Sequence, residues 1–256
     1  MAVAGPLRFL ITAGPTREYL DPVRFLSNDS SGRMGFALAH AAARRGHRVT
    51  LVHGPVALAP PPGVKVVPVV SAAEMLATCR RRWPRHQVLI MAAAVADYTP
   101  LRPAREKIKK SRRPLILRLR PTPDILAELS RRRRPGQIVV GFALEDRVPR
   151  RNAESKLRRK NLDAIVLNRP EAIGVERSRV EILIRNRPWE PLPLADKRIL
   201  AVRIIQRVER LVTQAHPSPK RERGHRARPC NRAPRRLDPN PEQQRRARPA
   251  WSSTAP

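Results

Sequence analysis

Several residues of this chain are of types and spacings that could handle a multiply charged anion. Lys156 and Lys160 are four apart, so on a helix both ammonium groups share one face. Such a face is either an anion seat or simply a solvated basic surface. The run Ser27-Asn28-Asp29-Ser30-Ser31-Gly32-Arg33-Met34-Gly35 opens another helix. The free backbone N–H groups at such a start attract anions. Gly32 and Gly35 lack a Cβ and let a ligand approach the backbone closely. Lys107 lies in a Glu-Lys-Ile-Lys-Lys cluster, with Lys109 and Lys110 beside it. Asp97 follows the small-residue run Met91-Ala92-Ala93-Ala94. Taken singly, each reads as well as a loop, a cap or a basic surface.

The elements that must hold these groups are legible from periodicity. Leu10 and Ile11 belong to a short apolar strand that stops at Gly14. A helix from about Met34 to Arg45 follows, with Ser30 or Ser31 as its N-cap and Gly46 at its end. The intervening loop contains Leu20, Val23, Phe25 and Leu26, too apolar for a solvated linker. Further strands are expected at Arg48–Val52, Val64–Val70, Gln87–Ala94, Gln137–Leu144 and Leu162–Asn168. Helices are expected from Ser71 to Arg82, from Pro123-Asp124 to Arg133, and from Asn152 to Lys160. An edge hairpin joins Val180–Ile184 to the Trp189 segment. A closing helix, Ala195–Val212, carries a stripe of Ile199, Leu200, Val202, Ile205 and Val208. This alternation defines an α/β fold, a Rossmann-like doubly wound and mostly parallel sheet. Ligands in such sheets sit at the carboxyl ends of strands, here Gly14, His53, Ala93 to Asp97, and Gly141. Thr99 to Arg120 is dense in prolines and cations and reads as a flap, with a β-arm at Leu115–Leu119.

The 256 residues can bury one large α/β core, though aromatics make up only 4%. The division expected is a domain over residues 1–214 and a disordered Pro/Arg-rich tail over 215–256. The formal net charge is +32. That balance points to nucleic acid or an anionic surface, and equally fits Arg-rich codon usage in a GC-rich genome. Tail cations would bind nucleic acid weakly and with strong salt dependence. Cys79 and Cys230 have no metal or redox spacing. Cys79 fits a core hydrophobe and Cys230 a free thiol, both suited to a reducing cytoplasm. No apolar run has transmembrane length, so no membrane partner is expected.

The string TAGPTREYLDPVRFLSNDSSGRMGFALAHAAARRGHRVTLVHGP, beginning at Thr12, resembles the opening of phosphopantothenate–cysteine ligase. In many bacteria that enzyme is the C-terminal half of a bifunctional coenzyme A biosynthesis protein. The resemblance runs from about Leu7 to about Leu211. It implies that CTP activates the carboxylate of 4′-phosphopantothenate as an acyl-cytidylate, which cysteine then attacks, with Mg²⁺ on the phosphates. It also implies a homodimer whose flap reaches the partner's site. By resemblance Asn28 serves the second half-reaction, and Ser30, Ser31, Gly32 and Gly35 line the substrate site with it. The nucleotide falls to Met91, Ala92, Ala93, Asp97, Pro123, Asp124, Ile125, Leu126 and Phe142. Lys156 and Lys160 bind its triphosphate, and Lys107 contacts it and is needed for turnover. Metal ligands are not identified.

Two departures fall outside these positions. Leu144 and Asp146 stand in GFALED where related sequences read GFAAET, and Arg105 replaces a common proline. The flavin-dependent decarboxylase half is missing, so decarboxylation is expected from a separate protein. Two rival readings were weighed. A nicotinamide-dependent oxidoreductase needs G-x-G-x-x-G, whereas Gly14-Pro15-Thr16-Arg17 does not supply it. A nucleic-acid-binding protein would rest on charge alone, without a recognition motif or stacking aromatics.

Overall fold

The computed structural model describes residues 5–169 and 177–215. The chain enters through strand β1 (Arg8–Ala13), whose apolar run continues to the glycine turn. A two-stranded hairpin, β2 (Arg17–Tyr19) and β3 (Phe25–Ser27), then precedes helix α1 (Arg33–Arg44). Strands β4 (Arg48–His53) and β5 (Val64–Pro68), helix α2 (Ala72–Arg82) and strand β6 (Val88–Met91) follow. The flap is bounded by short strands β7 (Tyr98–Pro100) and β8 (Leu119–Pro121), which pair antiparallel. Helix α3 (Ile125–Arg131), strand β9 (Ile138–Leu144), helix α4 (Pro149–Arg159) and strand β10 (Ala164–Asn168) complete the parallel part. An antiparallel hairpin, β11 (Arg177–Ile184) and β12 (Trp189–Asp196), leads into helix α5 (Lys197–Ala215).

The main sheet has eight strands in the order β12-β11-β10-β9-β6-β1-β4-β5. Its six parallel strands, numbered by themselves along the chain, run 3-2-1-4-5-6, the doubly wound order. The order reverses between β1 and β6, whose carboxyl ends therefore flank a crevice. Strand periodicity sorts the core into two layers. Phe9, Ile11 and Ala13 face α1 and α5, whereas Leu10 faces the layer of α2, α3 and α4. The fold class and the edge hairpin agree with the sequence reading.

Several local expectations need correction. Gly32, not Ser30 or Ser31, is the N-cap of α1, with φ of 73° and no side-chain cap. The left-handed backbone there favours glycine, so neither serine can occupy the position at low cost. Gly46, at φ 84°, lies one residue past the C-cap Arg45. Gly141 lies within β9 rather than at its end. The flap's strand is Leu119–Pro121, not Leu115–Leu119, because its only partner, β7, is three residues long. On α5 the buried stripe is Leu200, Ala201, Ile204, Ile205, Val208 and Val212, while Ile199 is 49% exposed and Val202 is exposed too. The observed stripe keeps i, i+4 spacing, from which Ile199 and Val202 are rotated away. Cys79 is buried, and burial pushes its thiol up to about 12. Apart from Ala215, the last residue of α5, the tail expected over 215–256 lies outside the described residues. Among the described residues no helix is long and apolar enough to cross a membrane.

Candidate active site

The crevice between β1 and β6 is held open by a fixed set of cross-links. The Ala94 N–H donates to the Gly14 carbonyl at 2.9 Å, and Thr16 N–H donates back to the Ala94 carbonyl at 3.4 Å. The Thr16 hydroxyl accepts from Ala96 N–H at 3.0 Å, and the Thr12 hydroxyl accepts from Ala93 N–H at 3.2 Å. Both threonines are buried, so these bonds satisfy groups that would otherwise lack water. Gly54 presses from the other side: a Cβ there would lie 1.5 Å from the Pro15 carbonyl oxygen. Gly35 closes the α1–β1 contact, where an added Cβ would meet the Ala13 Cβ at 2.4 Å. Its missing side chain thus serves helix–strand packing as well as ligand approach.

A cavity of about 780 Å³ occupies this crevice. Asn28, Ser30, Ser31, Gly32 and Gly35 line it from the loop before α1 and its first turn. Met91, Ala92, Ala93 and Asp97 line it from the end of β6. Pro123, Asp124, Ile125 and Leu126 enter at the start of α3, Phe142 on β9, and Lys156 and Lys160 from α4. Every residue singled out in the sequence reaches this one space except Lys107. Lys107 is exposed on the flap and does not line its own chain's cavity.

The polar groups are oriented by neighbours. The Asn28 amide nitrogen donates to the Val95 carbonyl at 3.0 Å, which fixes the amide plane across the crevice. Asp124 caps α3, accepting from Ala127 N–H at 3.0 Å, and pairs with the Lys160 ammonium at 2.8 Å. Burial alone would raise the Asp124 carboxyl; the Lys160 and Ala127 hydrogen bonds outweigh it and hold the group below its usual range. The Lys156 ammonium donates to the Phe142 carbonyl at 2.8 Å. Burial, reinforced by the Lys160 charge, lowers its pKa, opposed by Glu145, Asp124 and Asp97. A multiply charged anion entering between these lysines would relieve both penalties.

The structure adds cavity residues that the sequence did not signal. Lys197, the first residue of α5, lines the cavity although its residue is only 8% exposed. Asn168, Glu145 and Arg33 join it. Lys197 stands more than 160 residues from the Ser-Gly run, and only the β11–β12 hairpin returns it to the crevice. A buried lysine at the start of a helix, where its charge opposes the dipole, was the available signal. Among the described residues no group of three or more His, Cys, Asp or Glu is arranged to hold a metal. Asp97 and Glu145 do line the cavity beside the lysines. One or two carboxylates together with phosphate oxygens is the ordinary mode for Mg²⁺, so a phosphate-borne ion fits this donor set.

The flap is tied to its own hairpin. Buried Asp21 accepts from Val23 and Arg24 N–H at 2.8 Å and from Ile108 N–H at 3.1 Å. Arg24 donates to the Ile108 carbonyl, and Ala104 N–H donates to the Leu20 carbonyl at 2.8 Å. Burial opposes ionisation of Asp21, yet these three backbone donors and Arg24 hold its pKa below the usual value. The anchor sets Ile108, and hence its neighbour Lys107, at one place on the surface.

A doubly wound sheet, a switch-point crevice, an uncapped helix start and convergent cations define a nucleotide-type ligand-binding α/β domain. The chain belongs to the family described as the DNA/pantothenate metabolism flavoprotein C-terminal domain, which matches residues 5–212. It is similar to the coenzyme A biosynthesis bifunctional protein CoaBC of Bacillus subtilis (strain 168), at 41% identity over 210 residues, covering 80% of this chain and 52% of that protein. It is also similar to a protein of an unknown prokaryotic organism named cysteine/cysteine sulfinic acid decarboxylase, at 47% identity over 210 residues, covering 80% and 58%. Among solved structures, the C-terminal domain of CoaBC superposes with a TM-score of 0.72 at 36% identity, covering 84% of this chain and all of that one. The chain thus spans about half the length of the curated relatives it matches.

Proposed function

We propose that this protein is a phosphopantothenate–cysteine ligase of coenzyme A biosynthesis, using CTP. The observation that carries the reading is the convergence of Asn28, Asp97, Asp124, Phe142, Lys156 and Lys160 on one cavity at the switch point. Ligating a carboxylate to an amine first requires a leaving group. A carboxylate oxygen of 4′-phosphopantothenate bonds to the α-phosphorus of CTP, the bond to the β-phosphate breaks, and pyrophosphate departs. The cysteine amine then bonds to the acyl carbon, CMP leaves with the C–O electron pair, and the amine loses its proton. Lys156 and Lys160 neutralise the phosphates, and small residues at the end of β6 admit the nucleotide to the backbone. Asp97 accepts from ribose or base. The Asn28 amide, steadied by Val95, donates to the oxyanion formed when the amine adds. Mg²⁺, when bound, supplies further charge neutralisation on phosphate oxygens beside Asp97 and Glu145.

Lys107 completes the site from the flap of a second copy. Two features support this: Lys107 lies off its own cavity, and the flap leaves Leu115, Ile116, Leu117 and Leu119 exposed, Ile116 at 87%. A contiguous apolar patch of that kind marks an interaction surface. The nicotinamide alternative lacks support, since β4 ends at His53 with no carboxylate for a ribose diol.

The test is pyrophosphate release from purified protein with 4′-phosphopantothenate and each nucleotide, with and without cysteine. Release with CTP is expected before cysteine is added, and ligated product only afterwards. Asn28→Asp should accumulate activated intermediate while lowering product formation about 10²-fold, the scale of one oxyanion donor. Pyrophosphate release that never occurs with any nucleotide would refute the reading.

A further inference from the structure

The reaction proposed above expels pyrophosphate, and nothing described so far receives it. The two layers of the fold divide the cations of the cavity. Lys156 and Lys160 come from α4, on one face of the sheet. Lys197 and Arg33 come from α5 and α1, on the other face. The second pair stands at the α1 start, which has no acidic residue in its first turn and no side-chain cap. Pyrophosphate groups in doubly wound folds sit at this first helix start. Lys197 and Arg33 also line a second cavity of about 560 Å³, on the outer side of α1, together with His40 and Arg198. They therefore mark the junction between the reaction cavity and an outward space.

We propose that Lys197, with Arg33, holds the β- and γ-phosphates of the nucleotide and receives the pyrophosphate leaving group at this junction. When the carboxylate oxygen bonds to the α-phosphorus, the electron pair of the breaking P–O bond passes to the bridging oxygen. Charge thus grows on the pyrophosphate, and a fixed ammonium beside it is worth most at that moment. Burial, and then the charge of Arg33, lower the pKa of Lys197. An anion bound between the two cations offsets both effects. Asp196, next in the chain, does not compete, because its carboxylate accepts from Arg198 N–H at 2.7 Å.

The assignment rests on the ligase reading, but its test does not need turnover. Inorganic pyrophosphate and CMP are titrated separately into the full-length protein, wild type and Lys197→Met. CMP lacks the β- and γ-phosphates. Pyrophosphate affinity should fall about ten- to a hundredfold, the loss of one charge-assisted hydrogen bond, while CMP affinity holds. Lys197→Arg should recover most of it. No pyrophosphate binding by wild type, equal binding by Lys197→Met, or equal loss of pyrophosphate and CMP would each overturn the proposal. Thermal unfolding of the same samples reports folding. Should Lys197→Met not fold, Arg33→Met carries the same comparison, with the same outcomes decisive. A clear split without any ligation would leave the anion site standing and sink the ligase reading. Ligation without a split would sink only the pyrophosphate assignment.

Discussion

At the scale of single residues, the site holds charge at a cost to the empty protein. Lys156 binds its proton less tightly when folded than when unfolded, because of burial and the nearby Lys160 charge. The unfolded chain therefore carries more protons between the lowered native pKa and the ordinary 10.5. Stability must rise with pH across that window. Denaturant titrations from neutral to about pH 10.5 should show this gain in wild type and its absence in Lys156→Met. At neutral pH the same substitution should leave stability equal or higher while weakening CTP binding about tenfold or more, a charged contact's worth. Much of this was legible beforehand: the four-residue spacing of Lys156 and Lys160 already set two ammonium groups side by side. Lys197 was not, because its role depends on a hairpin that brings distant chain back to the crevice. The same holds for Asp21, whose three backbone donors come from separate loops.

At the scale of elements, the crevice exists because α1 and the loop after β4 approach β1 without side chains in the way. Gly35→Ala would drive a methyl into Ala13, and Gly54→Ala would drive one into the Pro15 carbonyl. Backbone cannot yield as a side chain can, so each should cost about 1–3 kcal/mol or more, the range for overpacking. Gly54→Ala, with the closer approach, should be the worse. Urea unfolding gives the ranking, and a smaller effect at Gly54 than at Gly35 would contradict the geometry. Strong periodicity made the long elements readable, as in β1, α1 and the β11–β12 hairpin. The hairpin of Arg17–Tyr19 with Phe25–Ser27 escaped notice, since three-residue strands carry too little alternation to register. The cap of α1 was misplaced because serine is the commoner signal, while backbone handedness at Gly32 decided the matter.

At the scale of the whole molecule, a flap that serves a second copy makes a sharp prediction. Asn28→Asp and Lys107→Gln proteins should each be nearly inactive, yet their mixture, after subunit exchange, should regain activity. In a two-fold dimer one site of each mixed pair is then wild type, and random exchange restores about a quarter of all sites. No recovery despite demonstrated exchange would mean that the flap serves its own chain. Ile116→Asp should shift sedimentation toward the monomer by burying a charge where the apolar patch meets its partner. The two ends of the main sheet bear on the same question. β12, at one border, carries Pro191 and Pro193, which have no amide hydrogen to offer a newcomer strand. β5, at the other, closes on Pro68 and contains Lys65. Neither border can be extended backbone to backbone with ease, so copies of this chain are steered away from fibrous stacking and toward closed assemblies built from side chains.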